Sequence, residues 1–167
     1  MCGNGESIKA IVFPNKTFFE QVRKLTESGQ SVTITVLGNS MQPFFENRRD
    51  EIKVTGCETV CVNDVVIALT NDNRYVAHRV VAVSGENITL MGDGNVHSKE
   101  FAVRKNVVGR VVAYRKKGNT EYKPLYSMKW RVYSAFWNNT LPVRRYLLAF
   151  YRRLSGFADK NGQRPST

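Results

Sequence analysis

Six short segments rich in β-branched residues, separated by polar turns, constrain the fold more than any other feature of the sequence. In the first of them valine and isoleucine alternate with threonine, which is the period of a strand with one buried face. Turn-forming residues, such as those of 70–74, stand between the segments. We therefore predict a mainly β, antiparallel domain. The segments are 31–37, 51–54, 65–69, 75–83, 88–91 and 107–115.

Helical patterns lie on both sides of the predicted strands. Residues 15–28 place apolar side chains at helical spacing, with Asn15 as the N-cap and Gly29 just past the end. A second helical pattern, rich in aromatic and basic residues, follows residue 115. The predicted organisation is an N-terminal segment with an amphipathic helix (1–30), a β domain (31–115) and a basic helical C-terminal extension (116–167).

Positive charge is concentrated at the C-terminal end of the chain. The 167 residues carry a net charge of +11, but residues 1–114 hold 13 Lys or Arg against 12 Asp or Glu. Residues 115–167 hold 12 Lys or Arg against 2 Asp or Glu. A near-neutral body with a basic tail predicts that the tail contacts an anionic surface.

The C-terminal extension is predicted to contain an amphipathic helix that begins near Pro142 and ends near Gly156. With about 14 residues and a length of about 21 Å, this helix is too short to cross a bilayer core of about 30 Å. It could lie on a membrane surface or pack on the β domain. A nucleic acid is the less favoured partner, because no DNA-binding module is recognisable before the β domain. The side chains proposed for membrane contact are Trp130, Trp137, Tyr146, Phe150, Arg144, Arg145, Arg152 and Arg153.

Ser40 and His78 are the candidates for chemistry. Ser40 lies in the stretch 36–44, between a predicted strand and a proline turn, but a serine needs a base and an oxyanion donor before it attacks a carbonyl. His78 lies in a predicted strand and shares a face with Val76 and Val80. Taken alone, such a histidine is more often a satisfied core residue. Both residues therefore gain meaning only in combination with other motifs.

Four motifs, in this order, resemble the catalytic domain of type I signal peptidases and of self-cleaving SOS repressors. The resemblance covers residues 31–115 and is closest to the archaeal and endoplasmic-reticulum branch, in which the base is a histidine. It implies a LexA-like antiparallel β fold and a serine endopeptidase that uses no metal and no cofactor. The motifs are GNSMQP (38–43), AHRV (77–80), MGDGN (91–95) and VVGRV (107–111).

Carried over position by position, the resemblance implies that Ser40 is the nucleophile and His78 the general base. It implies Asp93 as the carboxylate that orients His78, with Glu100 as the alternative, because a serine and a lysine occupy the usual place of the triad aspartate. The turn at Gly38 would let a substrate carbonyl approach the backbone amide of Ser40, the expected oxyanion donor.

Other residues of these motifs have structural interpretations as well. Met41, beside Ser40, is expected to pack along the cleft together with Gly38. Taken alone, the 91–95 motif is typical of a hairpin turn. Arg79 is expected on the strand face opposite His78, where it pairs with a carboxylate or faces water. His97 is expected in an exposed loop.

The expected function is cleavage of a peptide or protein substrate through an acyl-enzyme, in the cytoplasm or at the inner face of the membrane. The alternative is a non-catalytic module that binds a peptide or a membrane surface with the same fold. Self-cleavage, as in the repressors, is a further variant. No apolar run is long enough to cross a membrane, and the first residues lack the apolar core of a secretory signal. Cys57 and Cys61 lack a second ligand pair for structural zinc.

Overall fold

The computed structural model describes residues 15–95, 98–126, 128–139, 143–151 and 153. This part of the chain contains eight antiparallel strands in one sheet that curls into a half-barrel, with helices beside it. The strands are β1 (Val32–Thr35), β2 (Glu51–Thr55), β3 (Val65–Leu69), β4 (Tyr75–Ser84), β5 (Asn87–Met91), β6 (Glu100–Val103), β7 (Val107–Arg115) and β8 (Lys123–Pro124). The helices are α1 (Asn15–Glu27), α2 (Met128–Asn139) and α3 (143–151).

The mainly antiparallel β fold predicted from the sequence is confirmed. The predicted segments 65–69 and 107–115 coincide with β3 and β7, and the other four differ from the observed strands by one or two residues at an end. The two strands that the sequence pattern missed, β6 and β8, have four and two residues. Segments this short carry too few alternations to be recognised by their period.

The strand order sets the distance between the strands that carry the site. Across the sheet the strands follow the order β1, β2, β7, β3, β4, β5, β6, and β8 pairs with β7. Three strands therefore lie between β1, which leads to Ser40, and β4, which carries His78. The strand register shifts at three places, in the β2–β7, β3–β7 and β4–β5 pairs. Such irregularities bend strands and increase their twist, which favours the curl of the sheet.

Helix α1 covers part of the sheet, as its amphipathic pattern predicts. Val22 is buried, and Phe18 and Phe19 pack partly buried against the same core. The hydroxyl of Thr26 donates to the carbonyl of Val108 in β7 at 2.7 Å. The helix ends before Gly29, whose φ of +82° fits the left-handed position after a helix. The predicted N-cap side chain, that of Asn15, lies outside the described residues.

Helix α2 packs on the sheet with its tryptophans inward. Trp130 and Trp137 are 8% and 5% exposed, and Ser134 between them is also buried. On α3, Arg144 and Leu148 are buried. Trp130, Trp137 and Arg144 therefore contact the body of the protein and are not available for the membrane contact that we predicted for them.

The remaining tail predictions have different outcomes. Tyr146, Phe150, Arg145 and Arg153 are exposed. Arg152, together with the helix ends predicted at Pro142 and Gly156, lies outside the described residues. In the part of the chain that the structure describes, no helix combines the length and the apolar character needed to span a membrane.

Candidate functional site

Ser40 lies in the loop of residues 36–50, which connects β1 to β2. The loop is tied at its base, where Val36 donates its amide to the carbonyl of Asp50 at 2.9 Å and accepts from Arg48 at 2.8 Å. The buried carboxylate of Asp50 accepts from Lys116 at 2.6 Å and from the amide of Glu46 at 2.8 Å. These bonds fix the loop against the end of β7.

The glycines of the 91–95 motif lie directly against the Ser40 loop. The amide of Gly94 donates to the carbonyl of Ser40 at 2.7 Å. A Cβ at position 94 would lie 2.7 Å from the carbonyl oxygen of Asn39, and one at position 92 would lie 2.4 Å from that of Ser40. Non-bonded carbon and oxygen atoms do not approach this closely, so glycine at both positions permits the contact between the two loops.

His78 occupies the other side of the same contact. Its side chain is buried, and its Nε2 atom lies 3.0 Å from the point that a Cβ of residue 92 would occupy. The carbonyl oxygen of Ser40 lies 2.4 Å from that point. The ring of His78 and the backbone of Ser40 are thus neighbours, separated by the bare backbone of Gly92.

The hydroxyl of Ser40 is half-buried and makes no hydrogen bond within the described residues, to His78 or to any other group. The structure thus brings the nucleophile and the base predicted from the sequence to one place without joining them. Catalytic hydrogen bonds are often long or poorly aligned before substrate binds, so this arrangement is compatible with chemistry. It is also compatible with a binding site that does not cleave.

Glu100 holds the far side of the His78 ring. One of its carboxylate oxygens hydrogen-bonds the Nδ1 atom of His78, and the other accepts from Arg74 at 3.2 Å. Glu100 lies in β6, where it faces Leu90 of β5, and Leu90 in turn faces Val80 of β4. Of the two carboxylates considered from the sequence, Glu100 is therefore the one that contacts His78.

The protonation of His78 follows from these surroundings. Burial lowers the pKa of His78 below its usual value, while the carboxylates of Glu100 and Asp93 act in the opposite direction. In the neutral ring, Nδ1–H donates to Glu100 and the lone pair of Nε2 points to the side of Gly92 and Ser40. This is the tautomer that a general base needs toward a serine hydroxyl.

Asp93 is engaged elsewhere. Its two carboxylate oxygens accept from Arg79 at 2.8 and 2.6 Å, and both side chains are buried. The geometry therefore does not place Asp93 in the orienting position predicted for it. A carboxylate partner stabilises a buried guanidinium, and Arg79 pairs with Asp93 through two parallel hydrogen bonds.

Gly38 lies in an exposed bend, and its expected part in admitting a substrate carbonyl stays a prediction, whereas Met41 occupies a position different from the one expected. Gly38 is exposed with a φ of +95°, and its amide donates to the side chain of Asn47 at 3.0 Å. Met41 is 2% exposed and belongs to the main hydrophobic core, so it anchors the loop from below and does not line a cleft. The backbone amide of Ser40 as oxyanion donor stays a prediction.

Sequence reasoning missed a network that supports the site from the C-terminal helices. Arg79 donates to the hydroxyl of Ser134 in α2 at 2.7 Å, and its guanidinium lies 4.8 Å from the ring centre of Trp130. Trp137 donates its ring N–H to the carbonyl of Asp93 at 3.1 Å. The available signal was Arg79 itself, because a charged residue in an apolar strand needs buried partners.

A second contact from the tail reaches the same loop. Arg144 of α3 donates to the carbonyl of Asn95 at 3.4 Å, and its guanidinium lies 5.0 Å from the ring centre of Trp137. The loop that contacts Ser40 is therefore held on its outer side by α2 and α3. His97, which follows this loop, lies outside the described residues.

A cavity in the described part of the chain lies away from Ser40 and His78. It has a volume of about 560 Å³ and opens beside α2. Among its lining residues are Asn63, Tyr126, Trp130 and Ser134, and neither Ser40 nor His78 contributes to it.

Comparison of the chain with protein-family models gives no match, and comparison with functionally characterised proteins gives no significant match.

Proposed function

We propose that the protein is a serine endopeptidase in which Ser40 is the nucleophile, His78 the general base and Glu100 the carboxylate that orients the base. The observation that carries this proposal is the alignment of a carboxylate, a buried histidine and a serine-bearing loop around Gly92. The resemblance of the four motifs to signal peptidases of the histidine type supports it. That resemblance also underlies our proposal that the half-barrel is a LexA-like fold.

The proposed reaction is acyl transfer. The Oγ atom of Ser40 attacks the scissile carbonyl carbon while Nε2 of His78 takes the hydroxyl proton, and the amide of Ser40 stabilises the oxyanion. The imidazolium then gives the proton to the leaving amine, and the peptide bond breaks. Water, deprotonated by the same nitrogen, hydrolyses the ester and returns the proton to Ser40. Glu100 stabilises the imidazolium during both steps.

Strand β1 offers a way to bind an extended substrate. It is an end strand of the sheet, so one of its edges has no strand partner within the described residues. Its C-terminal end leads directly into the Ser40 loop. A peptide that adds to this edge would pass beside Ser40, with main-chain hydrogen bonds supplying affinity.

The second candidate function is a module that binds a peptide with the same surface and does not cleave it. The missing hydrogen bond between Ser40 Oγ and the His78 ring, within the described residues, is the observation that favours it.

Labelling with a fluorophosphonate, read by intact mass, distinguishes the two functions. We expect one adduct on the native protein and none on Ser40→Ala or His78→Ala. Ser98→Ala is the matched control, because Ser98 is exposed and lies two residues from Glu100. Absence of an adduct on the folded native protein, or equal labelling of Ser40→Ala, would contradict the proposed nucleophile.

A further inference from the structure

Helix α3 carries an apolar stripe that points away from the body of the protein. Four large side chains at positions i, i+3, i+4 and i+7 are between 40% and 65% exposed. The helix contacts the protein through Arg144 and Leu148, which are each 2% exposed. This is the reverse of a surface helix in a globular protein, whose apolar stripe normally faces the core. The stripe consists of Val143, Tyr146, Leu147 and Phe150.

Helix α2 has a similar division. Trp130 and Trp137 are buried, whereas Val132 and Phe136 are 62% and 58% exposed and lie one helical turn apart. Arg144 of α3 donates to the carbonyl of Trp137 at 2.5 Å, so the two helices are in contact. Together they present six exposed large apolar side chains, and exposed apolar surface of this kind marks an interaction site.

The charge around these helices indicates what the surface contacts. Residues 115–167 carry 12 Lys or Arg against 2 Asp or Glu, and both Arg145 on α3 and Arg153, two residues past the range given for α3, are exposed. A second copy of the chain would bring two strongly positive segments together, which is unfavourable. A nucleic acid would satisfy the charge but would leave the apolar stripe in water. An anionic lipid surface satisfies both features, because acyl chains accept the stripe and headgroups pair with the arginines.

We propose that the exposed faces of α2 and α3 dock on an anionic lipid surface, with Tyr146 and Phe150 inserted at the headgroup level and Arg145 beside them. The described part of α3, 143–151, has nine residues and is about 14 Å long, and no helix among the described residues is long and apolar enough to cross a membrane, so the proposed contact lies along the lipid surface. The Ser40 loop packs on the inner side of α2, where the ring of Phe44 contacts those of Trp130 and Tyr133, and the lipid contact uses the outer faces of the helices. The proposal does not depend on peptidase activity.

The test is co-sedimentation of the full chain with vesicles. One set contains equal parts of phosphatidylglycerol and phosphatidylcholine, and the other contains phosphatidylcholine alone. We expect binding to the anionic vesicles, weak binding to the neutral ones and release by added salt. Arg145→Gln should weaken the partition about fivefold. Tyr146→Ser combined with Phe150→Ser should weaken it at least tenfold, because two inserted aromatic side chains are lost.

Phe101→Ser is the matched control. Phe101 is 56% exposed on β6, outside the helices, so its loss should leave vesicle binding unchanged. All the substituted residues are exposed, and circular dichroism is the check that each variant is folded. The proposal is overturned if the protein does not bind anionic vesicles. It is also overturned if Phe101→Ser weakens the binding as much as the double variant does. Two other results would also overturn the proposal: a dimer in solution that the double variant abolishes, or a preference for nucleic acid over vesicles that the double variant abolishes.

Discussion

The amide of Gly94 donates to the carbonyl of Ser40 at 2.7 Å, so the loop after β5 directly positions the loop that carries the serine. Gly94 also faces the carbonyl oxygens of Asn39 and Gln42 at short range. The two loops therefore fit as one unit, and the position of Ser40 depends on the absence of a side chain at residue 94.

Gly94→Ala is expected to reduce fluorophosphonate labelling of Ser40 at least tenfold. The new Cβ would lie 2.7 Å from the carbonyl of Asn39, so the Ser40 loop must shift, at a cost of about 1–3 kcal/mol in stability. Gly85→Ala is the control, because its Cβ meets nothing within 4 Å. Gly85→Ala places an alanine at a φ of +57°, which should lower the free energy of unfolding by about 1–2 kcal/mol without changing the labelling of Ser40. Equal labelling of the two variants would show that the loop contact does not position Ser40.

Glu100→Gln is expected to slow labelling by a factor of about 10 to 10⁴, because the ring of His78 loses the carboxylate that selects its tautomer. The carboxylate raises the pKa of His78, so the midpoint of the pH profile should also move to lower pH in the variant. Glu86→Gln, at an exposed position, is the matched control and should behave as the native protein. A lower rate with an unshifted midpoint would argue that Glu100 acts only through folding.

Asp93→Asn is expected to destabilise the protein by about 3–5 kcal/mol, because it leaves the buried guanidinium of Arg79 without a charged partner. The measurement is urea unfolding. Asp72→Asn removes a carboxylate from an exposed ion pair with Arg74 and should cost less than about 1 kcal/mol. A stable Asp93→Asn protein with strongly reduced labelling would instead restore Asp93 as the carboxylate that serves His78.

The rate of labelling is expected to rise with pH and then level off. Since burial lowers the pKa of His78, the midpoint should lie below the free value of about 6.5, and the rate should be constant above neutral pH. Hydrolysis of the probe without protein is subtracted at each pH. A midpoint above pH 7 would mean that a different group is the base.

The stability of the protein should also depend on His78. The folded state lowers the pKa of this residue, so it binds fewer protons than the unfolded state between the two pKa values. The contribution of His78 is therefore complete above about pH 6.5 and is lost as the pH falls through the folded pKa. In urea unfolding, the free energy of unfolding should fall less between pH 7.5 and pH 5 in His78→Gln than in the native protein. Parallel curves for the two proteins would contradict the direction of the shift.

The sequence predicted those parts of the structure that depend on local patterns. The alternation of Val32 and Ile34 with threonines requires only neighbours along the chain, and so does the helical spacing of Phe18, Phe19 and Val22. The same is true of the turn glycine Gly29 and of the basic composition of the tail. These features follow from backbone geometry and side-chain preference, which act over a few residues.

Contacts between distant segments were decided by the tertiary structure. Ser40 follows β1 and His78 lies in β4, with three strands between them in the sheet, and the curl of the sheet and the bare backbone of Gly92 make the two residues neighbours. Glu100 contacts His78, whereas Asp93 pairs with Arg79, which also donates to Ser134 of α2.

The tail shows the same division most clearly. The charge of the tail and its helical period can be read from the sequence, but the face of each helix that packs against the β domain cannot. The network of Arg79, Trp130 and Trp137 draws the tryptophans of α2 inward, and Arg144 docks α3 with its apolar stripe outward. The orientation of both helices therefore depends on contacts between distant parts of the chain, because buried charged groups need polar partners and those partners lie on other elements.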